Sequence, residues 1–92
     1  MAARERSAAY GPEETAAALQ EGWRDDMELF EILTGIDGGS VADIPRAMGK
    51  LAGPEAVEGV RESLRGEDGV LRITACRQWV YDVIEAANAK NS

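Results

Sequence analysis

Residues 25–36 read Asp25-Asp26-Met27-Glu28-Leu29-Phe30-Glu31-Ile32-Leu33-Thr34-Gly35-Ile36, and they set the reading of the whole chain. Met27, Phe30 and Leu33 recur at helical spacing, joined by Leu29, Ile32 and Ile36. Glu28 and Glu31 fall on the other side. Asp25 or Asp26 is suited to cap the start by accepting backbone N–H bonds. Gly35, or the pair Gly38-Gly39, is suited to end it. An amphipathic α-helix follows, and its neighbours repeat the pattern.

On the N-terminal side, residues 1–11 read as a flexible leader ending at Gly11-Pro12. Pro12 fits the first turn of a short helix, and Glu13 and Glu14 suit the positive end of its dipole. On the C-terminal side, Ser40 with Asp43 resembles a capping box. Val41, Ile44, Met48 and Leu51 form the stripe of the next helix, with Pro45 tolerable only near its first turn. Pro54 is placed to begin a fourth helix striped by Val57, Val60 and Leu64. Gly66 offers the left-handed residue that closes it. After the turn Glu67-Asp68-Gly69, Thr74 is positioned to cap a last helix carrying Cys76, Trp79, Val80, Val83, Ile84 and Ala87. Asn88 to Ser92 reads as a frayed tail. The expectation is an all-α chain: a small bundle of four to five short helices, with residues 12–92 as one domain.

A chain of 92 residues supports one modest core. Only 5% of residues are aromatic, so that core must be aliphatic. The net charge is -7. Residues 13 to 37 hold eight acids and one base, so this one segment carries the charge of the whole chain. An acidic balance argues against nucleic-acid binding, where basic patches supply the affinity. No apolar stretch approaches a membrane span.

Catalytic and cofactor chemistry finds little footing. There is no histidine, which removes the commonest general base and the commonest metal ligand together. Cys76 is the single cysteine; it lies in an apolar stripe and has no histidine to serve as its base. Asp37-Gly38-Gly39-Ser40 and Glu67-Asp68-Gly69 are too sparse for a calcium loop and read as turns. No glycine pattern cradles phosphate. The expectation is a non-enzymatic protein without cofactor or metal. Trp79 and Tyr81 stand about 200° apart on an ideal helix, so both cannot face one small core. One of them is expected at the surface, where aromatic residues favour interfaces. The candidate partner-binding residues are Trp79, Tyr81, Phe30, Glu28 and Glu31.

Asp25-Asp26-Met27-Glu28-Leu29-Phe30-Glu31, then Ile36-Asp37-Gly38-Gly39 and Ile44-Pro45, resemble the small tail assembly chaperones of long-tailed (siphovirus-like) bacteriophages. Leu64-Arg65-Gly66-Glu67-Asp68-Gly69 and the ending Lys90-Asn91-Ser92 are similar too. The likeness covers roughly residues 23 to 92; it leaves out residues 1–22 and Cys76 to Tyr81. It implies a helical protein in the cytoplasm of the infected bacterial host, absent from the mature virion. Such chaperones bind the tape measure protein, keep its helices soluble and help recruit tail-tube protein; some are homo-oligomers. Two other readings stay open: an acidic inhibitor or nucleic-acid mimic that binds a basic partner, and a small head–tail connector component of the virion.

Overall fold

The computed structural model describes residues 10–90, and the fold is all-α. Five helices run in order: α1 (Pro12–Ala18), α2 (Met27–Asp37), α3 (Asp43–Ala52), α4 (Val57–Leu64) and α5 (Ile73–Lys90). A 3-10 turn, Trp23–Asp25, leads into α2. Among the described residues there is no strand, and Val70 to Arg72 is a loop. Residues 1–9 of the expected leader, with Asn91 and Ser92 of the expected tail, lie outside the described residues. The rest of that tail is the helical end of α5.

α3 is the hub. It packs on each of the other four helices. Its stripe explains this: Ile44, Ala47, Met48 and Leu51 are all buried, while Arg46 and Lys50 face water. Pro45 is the third residue of α3, where its missing N–H leaves no bond unmade. α5 supplies the other half of the core with Cys76, Trp79, Val80, Val83 and Ala87. α4 adds Val60, and α2 adds Leu29 and Ile36.

Several helix ends differ from the sequence reading. Ser40 does not start α3. Its N–H donates to the Gly35 carbonyl at 2.8 Å, so it completes the exit of α2. Asp43 instead pairs with Arg46 at 3.3 Å. Pro54 does not start α4 either; residues 54–56 form a turn after Gly53, whose φ of 87° ends α3. The left-handed residue expected at Gly66 is Gly69, at φ 82°. Asp68 accepts the Val70 N–H at 3.0 Å and holds Arg72 at 2.9 Å, which moves the chain reversal past Gly66. Thr74 lies inside the first turn of α5 and not before it.

Tyr10 is anchored, although the sequence reading assigned it to the leader. Its carbonyl accepts the Trp79 indole N–H at 3.1 Å, and its ring lies on Gly59 of α4. A Cβ on Gly59 would collide with that ring. Glycine inside a helix is unfavourable by about 1 kcal/mol relative to alanine. We therefore expect Gly59→Ala, which should stabilise an open helix, to lower stability here by about 1–3 kcal/mol through overpacking. Urea denaturation gives the sign; a gain would mean that Tyr10 yields freely.

Candidate functional site

The acidic helix α2 is turned differently from the expected stripe. Asp26 caps it, its carboxylate accepting the Leu29 N–H at 3.2 Å. From that start Leu29 and Ile36 point inward, and Ile32 and Leu33 are half-buried. Met27 and Phe30 are left 67% and 63% exposed. A single helix face about 100° wide reaches a small core, and Leu29 to Ile36 fill it. The two largest apolar side chains at the start of α2 therefore stand in water.

The five sequence candidates separate into three places. Trp79 is only 3% exposed and belongs to the core, so it is withdrawn from the candidate surface. Its position follows from α5: Trp79, Val80 and Val83 share the inward face that packs on α1 and α3. Tyr81 is the aromatic left outside, at 37% exposure. Phe30 of α2 and Tyr81 of α5 lie on the side where these two helices face each other. Glu28 and Glu31 lie towards α3, where they line a polar hollow with Ile32, Asp43, Arg46, Gly49 and Lys50. Glu28 and Phe30 stand about 160° apart on an ideal helix, which is why one face cannot hold both.

Two residue pairs, joined by side-chain hydrogen bonds, frame the α2–α5 flank. The Tyr81 hydroxyl donates to Asp37, at the end of α2, at 2.8 Å. Arg24, just before α2, donates to Asn88, near the end of α5, at 2.6 and 3.1 Å. These pins make the two helices antiparallel. Among the described residues no Cα of α2 comes within 8 Å of one in α5, so the helices are spanned by side chains and not packed together. A shallow groove of about 260 Å³ opens at the Asn88 end, lined by Trp23, Arg24, Leu29, Phe30 and Leu33 among others. Arg24 also lies over the Trp23 ring, 4.8 Å from its centroid. Arg24 and Asn88 went unnoticed as site residues because their meeting is a long-range contact with no local signal.

The electrostatics of α2 are one-sided. Lys50 of α3 bridges Asp26 at 2.9 Å and Glu28 at 3.0 Å. The Lys50 ammonium, followed by the Leu29 N–H, holds the Asp26 carboxyl below its ordinary value of 3.8, and Asp26 in turn raises Lys50. Glu31 has no ion pair among the described residues. The bond to Asp37 raises the Tyr81 phenol, because ionising it would bring two anions together. Cys76 is buried, and burial pushes its thiol up, away from the thiolate that nucleophilic work needs. Among the described residues no group of three or more Cys, Asp or Glu side chains is arranged to hold a metal ion, and no helix is long and apolar enough to cross a membrane.

A pH dependence follows from Asp26. Its folded-state value is depressed, so its contribution to stability is present above the unfolded value and lost as pH falls through the folded one. Thermal melts from about pH 6 to about pH 2 should show a falling midpoint. Asp26→Asn should flatten that fall while lowering the midpoint at neutral pH. An unchanged slope would remove the Asp26–Lys50 bridge as its source.

Comparison of the chain with protein-family models, curated proteins and solved structures finds no match. The functional reading therefore rests on the exposed face of α2 and the groove beside it.

Proposed function

We propose that this is a non-enzymatic binding protein, a small tail assembly chaperone that holds a tape measure protein through the outward face of α2. The observation that carries the reading is the exposure of Met27 and Phe30 on a helix whose inward side already fills the core. A binding helix of the tape measure protein would lay its apolar stripe along Phe30 and Met27, the helix-in-groove mode of peptide recognition. Tyr81 and Trp23 extend the contact at either end. Such a chaperone acts in the cytoplasm of the infected cell, recruits tail-tube protein and leaves before the virion is complete.

The test is co-expression with a tape measure protein, in the presence and absence of this chain. Soluble tape measure protein that co-purifies with the chain supports the reading. Tape measure protein that stays insoluble and uncomplexed overturns it. The acidity of residues 13 to 37 favours one other reading, an inhibitor or nucleic-acid mimic that binds a basic protein surface. That contact would be governed by charge and lost steeply with salt.

A further inference from the structure

Taking α2 as the docking face, we propose that its occupant is a cationic amphipathic helix, with Lys or Arg flanking an apolar stripe. Residues 25–37 contain Asp25, Asp26, Glu28, Glu31 and Asp37 and no basic residue. Lys50 bridges Asp26 and Glu28, and Asp37 accepts from the Tyr81 hydroxyl. Asp25 and Glu31, both exposed, remain beside Met27 and Phe30 without an ion pair among the described residues. The neighbouring cations are engaged elsewhere: Arg24 by Asn88 and the Trp23 ring, and Arg46, which lines the same hollow as Glu31, by Asp43. The face thus offers an apolar strip with uncompensated negative charge along it. A partner helix with basic flanks satisfies both features together. A second copy of the chain does not, because a two-fold contact would set Glu31 and Asp25 against acids of the same segment. From Met27 to Asp37 the face runs about 15 Å, room for a partner helix of two to three turns.

Two synthetic peptides test this. Both carry the same leucine stripe at helical spacing; one has lysine on its polar face, the other glutamate. Isothermal titration with the purified full chain is expected to show the lysine peptide binding at least about tenfold more tightly than the glutamate peptide. The lysine peptide should weaken as salt rises, and Phe30→Ser should weaken it about tenfold or more. Equal binding of the two peptides would overturn the charge requirement and leave the docking face standing. Lysine-peptide binding untouched by Phe30→Ser would overturn the site, since diffuse attraction to an acidic protein would explain it. Absence of any binding would overturn the inference, while co-purification with the tape measure protein would still decide the functional reading separately.

Discussion

Trp79→Ala is expected to unfold the protein or bring it close to unfolding. Trp79 is the largest side chain in the core and is 3% exposed. Truncating a buried Trp to alanine typically destabilises by about 3–5 kcal/mol. The same change takes away the indole N–H that satisfies the Tyr10 carbonyl, so the strap from Tyr10 into α1 loses its fastening. A chain of 92 residues falls at the low end of the usual folding margin of about 5–15 kcal/mol. The deletion therefore removes most of that margin. Circular dichroism melts should show a midpoint lowered by about 15 °C or more, at roughly 4–8 °C per kcal/mol for a domain of this size. Trp79→Phe keeps the ring volume nearer to native and should be milder. A Trp79→Ala midpoint within a few degrees of wild type would mean that the core packs around the loss. Because the variant fails by unfolding, any binding it loses says nothing about a contact made by Trp79.

The sequence made the helices legible and their facing much less so. Leu29, Ile36, Ile44, Met48, Leu51 and Val60 were readable as core because their 3.6-residue spacing matches burial. Phe30 and Met27 share that spacing, so periodicity set them on one stripe with Leu33 and left open which of them face outward, although Phe30 was a partner-binding candidate. The structure turns them out because Leu29 and Ile36 occupy the limited space against α3. A helix with apolar residues over more than half its circumference does not declare which arc meets the core. The Trp79–Tyr81 geometry did predict that one ring must be exposed, and Tyr81 is that ring. Which of the two it would be depended on the packing of α1 over α5, the first and last of the described helices. The helix ends were misread for a related reason. Ser40 and Gly66 carry good capping signals, but Gly35 competes for the Ser40 N–H and the Asp68–Arg72 pair moves the turn at Gly66. The Arg24–Asn88 pin, which shapes the groove, has no sequence signature at all.

Met27→Ser combined with Phe30→Ser is expected to separate binding from folding. Both side chains are more than half exposed, and neither belongs to the core. Surface substitutions of this kind shift stability by about 0.5 kcal/mol or less, so the melting midpoint should stay within a few degrees of wild type. Partner affinity should behave otherwise. A fully buried aromatic anchor at the centre of an interface is commonly worth about 2–4 kcal/mol, which corresponds to a loss of roughly thirtyfold to a thousandfold in affinity. The measurement is titration of the double variant with the lysine-faced peptide, alongside co-purification with the tape measure protein. Glu31→Gln supplies the contrast, since a rim charge acts mainly on association rate and salt dependence. It should change the salt slope more than the affinity at high salt. A double variant that binds as tightly as wild type would show that Met27 and Phe30 stand in water for no recognitive purpose. The apolar start of α2 would then reflect only the limited room beside Leu29 and Ile36.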